Sequence, residues 1–148
     1  MTAIVAQVSA DGSKVELLNR GHPPPLLVDG AGPRLLEAAE GGLPLGLAPL
    51  AAGPGPPDQP ARPGQAGAPG RAAVVEVGPG DRILFYTDGV SEARGRSGEF
   101  FPLAQCRAVR EPGDPDQILD ALSREVLRHV GHALDDDAAM LLIRREPA

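Results

Sequence analysis

The chain has 148 residues, a formal net charge of −6 and a single cysteine. This length allows one domain at most. The acidic balance excludes a basic nucleic-acid-binding surface, and a single cysteine excludes a disulfide framework, which fits a reducing compartment. We expect neither a secretory signal nor a membrane span, and therefore a cytoplasmic protein.

The first residues predict a β-hairpin followed by a tight turn. Ile4, Ala6 and Val8 alternate with Val5, Gln7 and Ser9. Strand signals resume at 15–18 after an Asp-Gly pair. A second turn is predicted at residues 19–22, in which we expect Gly21 and His22 to have a structural role. His22 could also be a general base, but its place among turn residues and prolines favours hydrogen bonding within the turn.

The next segment predicts two further strands and then a long loop. Three prolines at residues 23–25 favour an extended chain, and strands are predicted at 26–28 and 34–36, so that the N-terminal strands form an antiparallel meander. Residues 51–70 are nearly all Ala, Gly, Pro, Gln and Asp. Such a segment is too poor in apolar bulk to pack, so we expect a mobile surface loop or a short linker. Strand signals resume at 72–77.

The remaining residues predict two strands and one clear helix. A strand at residues 83–87 runs into an Asp-Gly pair, and apolar residues at helical spacing predict a helix over 114–130. Asp114 is placed to cap this helix, with Gln117 at the capping-box spacing. The last strand, 138–143, is expected to be buried on both faces. These elements predict an α+β fold with mostly antiparallel strands.

Two acidic motifs are candidate metal ligands. Asp88 follows an apolar strand, and Gly89 after it would let a ligand approach the backbone. The three carboxylates at residues 135–137 repel one another, and a bound cation relieves that repulsion. Both motifs have simpler explanations, because Asp-Gly is a common hairpin signal and an acidic run keeps a sheet edge polar. The residues after Gly89 do not alternate as a returning strand would, which favours the metal hypothesis.

A zinc site is a further alternative. His129 and His132 lie three residues apart and Asp135 follows, but no cysteine or fourth ligand is near, and the end of an exposed helix gives the same spacing by chance. Neither a Gly-x-Ser-x-Gly motif nor a Gly-rich nucleotide motif occurs.

Five motifs form an ordered set: NRGHPPPLL (19–27), GLPLGL (42–47), GPGD (78–81), LFYTDGVSEAR (84–94) and DDAAMLLIR (136–144). This set resembles the bacterial PPM-type serine/threonine phosphatases of the SpoIIE/RsbU kind. The resemblance implies a PP2C-like sandwich of antiparallel β-sheets flanked by helices. The family's upstream Gly-Asp-x-x-Asp and Asp-x-x-Gly-His-Gly motifs do not occur. We therefore expect residues 1–148 to form a partial phosphatase domain, incomplete at its N-terminal side.

The resemblance also implies a metal-dependent reaction. Asp88 and Asp136 match family positions that hold Mn²⁺ or Mg²⁺, Asp137 is a second choice, and Thr87 and Gly89 lie beside the site. In the complete domain, the resemblance implies that two ions would share a water that could attack the phosphorus in line. The implied substrates are phosphoserine or phosphothreonine on an anti-sigma-factor antagonist protein, in a partner-switching pathway that controls transcription.

Other functions stay open on the sequence. A partial metal cluster fits an inactive fragment or pseudophosphatase that acts as a phosphoprotein-binding module. A truncated or mis-started reading frame without a stable product is a third alternative. A homodimer or an upstream sensor domain is a further expected partner, whereas no nucleic acid is expected.

Overall fold

The computed structural model describes residues 1–37, 44–45, 72–131, 134 and 136–146. The chain divides into two compact units, Met1–His22 with Glu37–Val75 and Pro23–Leu36 with Glu76–Ala148. Four sequence predictions lie outside the described residues: most of the GLPLGL motif, the loop at 51–70, His132 and Asp135. Among the described residues, no helix is both long and apolar enough to span a membrane.

The elements along the described chain are, in order, β1 (Ala3–Val8), β2 (Lys14–Arg20), β3 (Leu26–Asp29), β4 (Gly32–Leu35), β5 (Ala73–Glu76), β6 (Arg82–Tyr86), α1 (Asp88–Ser91), a 3₁₀ turn (Leu103–Gln105), α2 (Arg107–Arg110), α3 (Pro115–Val130) and β7 (Met140–Arg144). The strands form a three-stranded sheet with the order β1-β2-β5 and a four-stranded sheet with the order β4-β3-β6-β7. The predicted mixture of antiparallel sheets and few helices is confirmed.

The first unit contains the predicted hairpin. β1 and β2 pair antiparallel, with Val8 opposite Val15 next to the turn. In the turn, the Asp11 carboxylate accepts hydrogen bonds from the hydroxyls of Ser9 and Ser13, at 2.6 and 2.7 Å. These hydrogen bonds hold the pKa of the Asp11 carboxyl well below its usual range, and the bond from Ser9 has the largest effect.

The turn after β2 depends on a glycine. Gly21 has φ +72°, and a Cβ there would lie 2.6 Å from Cγ of Pro44. Asn19 closes the turn on both sides, because its side chain accepts from the His22 backbone N–H and donates to the His22 carbonyl, each at 2.8 Å. His22 therefore contributes backbone hydrogen bonds to this turn.

The predicted N-terminal meander is wrong. β3 pairs with β4 and β6, and not with β2, so the chain leaves the first sheet after its second strand. The prolines at residues 23–25 explain the break, because they have no N–H groups to continue a ladder with β2.

The second unit is built around β6. This strand lies between β3 and β7 and is antiparallel to both, and its Ile83 and Leu84 are each 1% exposed. β7 lies at the edge of the sheet, and its Leu141 is 59% exposed. The prediction that the last strand is buried on both faces is therefore wrong, because an edge strand is covered less completely than a central one.

Helix α3 covers this core with its apolar face, which comprises the buried residues Ile118, Leu122, Val126 and Val130. Asp114 caps the helix as predicted, but its carboxylate accepts from the Asp116 N–H, at 3.0 Å. The capping-box partner Gln117 makes no described hydrogen bond with Asp114. Gly131, with φ +73°, ends the helix in the left-handed conformation.

A carboxylate on α3 ties this helix to α2. The Cys106 thiol donates to Oε2 of Glu125, and the backbone N–H of Ala108 donates to Oε1, at 2.8 and 3.3 Å. The pKa of the Cys106 thiol is raised to about 11, chiefly by burial and secondly by the hydrogen bond with Glu125. The thiol therefore stays protonated at neutral pH and serves as a buried donor.

Candidate metal site

The acidic motif before β7 is attached to the end of β6 by one threonine. The Thr87 hydroxyl donates to the backbone carbonyl of Asp137 at 3.0 Å and accepts from the N–H of Ala139 at 2.9 Å. The Thr87 N–H also donates to the Ala139 carbonyl, at 3.1 Å. These three hydrogen bonds hold the Asp136–Asp137 segment beside the start of α1.

Gly89 makes this close approach possible. A Cβ at this position would overlap the carbonyl group of Asp137, whose carbon would lie 2.8 Å away, and would lie 3.2 Å from the Ala138 nitrogen. These are backbone atoms, so they cannot rotate away as a flexible side chain would. The glycine that follows Asp88 is thus required for contact with the second acidic motif.

The structure brings Asp88 and Asp136 to one cavity. The cavity has a volume of about 150 Å³ and is lined by Asp88, Gly89, Glu92, Ala93, Arg94, Val130, Leu134 and Asp136. Asp137 is not among the lining residues, and its backbone N–H donates to Oδ1 of Asp136 at 2.8 Å. The Asp88 carboxylate in turn accepts from the N–H of Gly89, at 3.1 Å.

The donor chemistry of the cavity fits a hard divalent cation. Carboxylate oxygens are the preferred protein ligands of such ions, and Mg²⁺ is commonly held by one or two carboxylates while it keeps several waters. Within the described part of the chain, no group of three or more Asp, Glu, His or Cys side chains is arranged to hold an ion. The described residues therefore offer a partial ligand set in which Asp88 and Asp136 are the candidates.

Two charged residues of the cavity were missed from the sequence, Glu92 and Arg94. Glu92 lies four positions after Asp88, a spacing that puts two side chains on the same face of a helix, and its N–H donates to the Asp88 carbonyl at 2.7 Å. The helical spacing was a usable signal for Glu92. No sequence pattern indicated Arg94, because its position at the cavity depends on the loop that follows α1.

His129 has a structural place within the second unit. Its Nε2 lies 3.1 Å from the carbonyl oxygen of Glu99, and its ring meets Phe101 edge to face, with centroids 5.4 Å apart. This hydrogen bond occupies Nε2 and leaves Nδ1 without a partner among the described residues, so it does not decide the zinc alternative. The other two zinc candidates, His132 and Asp135, lie outside the described residues.

Comparisons with known proteins place this geometry in a family. The profile of SpoIIE, stage II sporulation protein E, matches residues 1–146. The phosphatase domain of the cell fate determinant SpoIIE from Bacillus subtilis (Mn presoaked) is similar, with a TM-score of 0.69 and 17% identity over 100% of this chain. The SiaA-PP2C domain of Pseudomonas aeruginosa is also similar, with a TM-score of 0.65 and 18% identity over 98% of this chain.

A third similar structure contains the RsbU and RsbW domains of Rv1364c from Mycobacterium tuberculosis, with a TM-score of 0.66 and 28% identity over 99% of this chain. The chain spans 57% of the Bacillus structure, 51% of the Pseudomonas structure and 38% of the Mycobacterium structure. The Bacillus and Pseudomonas structures, at 17% and 18% identity, show a shared fold. The SpoIIE profile matches nearly the whole sequence. The chain belongs to the SpoIIE family and has the fold of PP2C-type phosphatase domains.

Proposed function

We propose that this chain carries part of the active site of a metal-dependent protein serine/threonine phosphatase. One observation carries the proposal: Asp88 and Asp136, far apart in sequence, line the same small cavity. Family membership supports phosphate-ester hydrolysis as the chemistry. Asp88 and Asp136 are the proposed metal ligands, and Asp137 stays the second choice.

The chain's own residues would hold and orient the reacting groups. Asp88 and Asp136 supply the negative charge that binds a divalent cation, and the Thr87 hydroxyl holds the second of these carboxylates in place through the backbone of Asp137. A bound Mn²⁺ or Mg²⁺ provides an activated water and neutralises phosphoryl oxygens, and the family resemblance implies two such ions. The protein structure presoaked with Mn supports manganese as the first ion to test.

The proposed substrate is a phosphoserine or phosphothreonine on an anti-sigma-factor antagonist protein. The motif resemblance motivates this substrate class, and the similarity to a chain that contains RsbU and RsbW domains supports it. Further ligands would come from residues outside the described ones, from a second copy of the chain, or from water.

The direct test is Mn²⁺-dependent hydrolysis of p-nitrophenyl phosphate by the purified chain. Asp88→Asn keeps the size of the side chain and an acceptor for the Gly89 N–H, but removes the negative charge. We expect this variant to lose nearly all metal-dependent hydrolysis and to bind Mn²⁺ at least tenfold more weakly, since hard-cation affinity follows ligand charge.

Asp120→Asn is the matched control, because Asp120 is an exposed carboxylate on α3 outside the cavity. It should leave both measurements unchanged. Equal Mn²⁺ affinity in the wild type and Asp88→Asn would contradict the assignment of Asp88. Absence of hydrolysis in a folded, Mn²⁺-binding chain would contradict catalysis by this chain alone.

A second candidate function is a phosphoprotein-binding module without turnover. The observation in its favour is the partial ligand set of the described residues. This candidate predicts that a phosphorylated partner binds and is released intact, with affinity unaffected by Asp88→Ala. Dephosphorylation of that partner, or loss of binding in the variant, would contradict it.

A further inference from the structure

Arg94 is held at the rim of the candidate metal cavity by two contacts. Its guanidinium carbon lies 4.3 Å from the centroid of the Phe100 ring, and one guanidinium nitrogen donates to the Gly98 carbonyl at 3.0 Å. Arg94 and Phe100 also face each other across an antiparallel bridge that closes the intervening loop. A long side chain that would otherwise sample many rotamers is thereby restricted, at a residue that lines the same cavity as Asp88 and Asp136.

The described residues leave most of the guanidinium available for a ligand. Stacking on an aromatic ring uses the face of the group, whereas its five N–H donors lie in the plane. The bond to Gly98 is the one hydrogen bond that Arg94 donates to a described residue, and no described carboxylate forms an ion pair with it. The group can therefore donate further charge-assisted hydrogen bonds at the cavity.

The charges around the cavity define what Arg94 can attract. Among the described residues that line it, Asp88, Glu92 and Asp136 bring three carboxylates, and Arg94 is the one cationic residue. Without a metal, this balance repels a phosphate monoester, which carries close to two negative charges at neutral pH. A divalent ion on the carboxylates would bring the cavity close to neutrality, so that Arg94 could bind the phosphate beside the metal.

We propose that Arg94 is a phosphate-binding residue, which anchors the phosphoryl group of a phosphomonoester once a divalent ion occupies the Asp88–Asp136 cavity. This inference rests on the proposed function for its metal, but it concerns ligand binding and not turnover. A planar guanidinium matches the oxygens of a phosphoryl group in a bidentate manner, which a lysine ammonium cannot reproduce.

The experiment measures two affinities of the full chain by calorimetry: that for Mn²⁺, and that for phenylphosphonate at saturating Mn²⁺. Phenylphosphonate resembles a phosphomonoester but cannot be hydrolysed, so the readout is independent of activity. In Arg94→Ala, we expect the affinity for phenylphosphonate to fall about tenfold to a hundredfold, which is the range for a hydrogen bond between charged groups. The affinity for Mn²⁺ should stay equal or rise, because a positive charge near the carboxylates has been removed.

A fall in phenylphosphonate affinity without a fall in Mn²⁺ affinity separates ligand binding from a merely structural role. If Arg94 only stabilised the loop that contains Phe100, Arg94→Ala would weaken Mn²⁺ and phenylphosphonate binding together. Arg94→Lys keeps the charge and should recover part of the phenylphosphonate affinity. Arg96→Ala removes the same charge from a loop residue that does not line the cavity, and should bind both ligands as the wild type does.

Three results would overturn the proposal: no binding of phenylphosphonate to the Mn²⁺-loaded wild type, equal binding to Arg94→Ala, or a parallel loss of both affinities in that variant. Failure of the proposed function looks different. Arg94-dependent phenylphosphonate binding without hydrolysis of p-nitrophenyl phosphate contradicts catalysis and supports the phosphate site. Hydrolysis with phenylphosphonate binding that does not depend on Arg94 supports catalysis and contradicts the phosphate site.

Discussion

Gly89→Ala tests whether the contact between the two acidic motifs builds the site. The added Cβ would overlap the Asp137 carbonyl group and would approach the Ala138 nitrogen to 3.2 Å. Because these atoms belong to the backbone, the segment before β7 has to move away from α1. That movement breaks the hydrogen bonds of the Thr87 hydroxyl to Asp137 and Ala139.

The expected loss of stability is about 3 kcal/mol, because the overpacked contact and two lost hydrogen bonds outweigh the gain from alanine. Forced overpacking costs typically about 1–3 kcal/mol, and each lost hydrogen bond about 0.5–1.5 kcal/mol. Alanine offsets part of this loss, about 0.4–1 kcal/mol, because it restricts the unfolded chain. Since Gly89 also lines the cavity, displacement of Asp136 from Asp88 should weaken Mn²⁺ binding about tenfold or more.

Urea unfolding followed by circular dichroism measures the free energy of unfolding, and calorimetry measures the affinity for Mn²⁺. Gly30→Ala is the matched control, because no heavy atom lies within 4 Å of a Cβ built at that glycine. It should change the free energy of unfolding by less than about 1 kcal/mol. A Gly89→Ala protein as stable as Gly30→Ala, with unchanged Mn²⁺ affinity, would refute this account of the site.

Three further predictions concern single side chains. Thr87→Val removes the hydroxyl that joins Asp137 to Ala139 and should cost about 1–3 kcal/mol of unfolding free energy, whereas Thr87→Ser should stay near the wild type in the same urea titration. Asp114→Ala removes the N-cap of α3 and should lower the unfolding free energy by about 1 kcal/mol; an unchanged urea midpoint would contradict the cap. The pKa of Cys106 is raised from 9.0 to about 11, so folding favours the protonated thiol. The contribution of this thiol to the free energy of unfolding is therefore complete below about pH 9 and is lost as the pH rises through about 11. Thermal unfolding should therefore show a smaller stability difference between the wild type and Cys106→Ala at pH 11 than at pH 8, and a constant difference would argue against the buried thiol.

Local sequence rules predicted the elements whose causes are local. The β1–β2 hairpin follows from alternation around an Asp-Gly turn, and α3 follows from its apolar period, with Asp114 and Gly131 at its ends. The same rules failed where the outcome depended on a distant partner. They placed β3 beside β2 because the strands are sequential, and they buried β7 because its residues are apolar.

The sequence by itself determined the family motifs, the element types and the chemical identity of the candidate ligands, since Asp88 and Asp136 stand out as carboxylates beside strands. Only the tertiary structure decided that the two share a cavity, because the pairing of β6 with β7 sets their distance. The roles of Thr87 and Arg94 also depended on the fold, since their contacts join segments that no short-range pattern links. Residues close in space but distant in sequence meet through strand pairing and loop closure, and neither leaves a periodic signal along the chain.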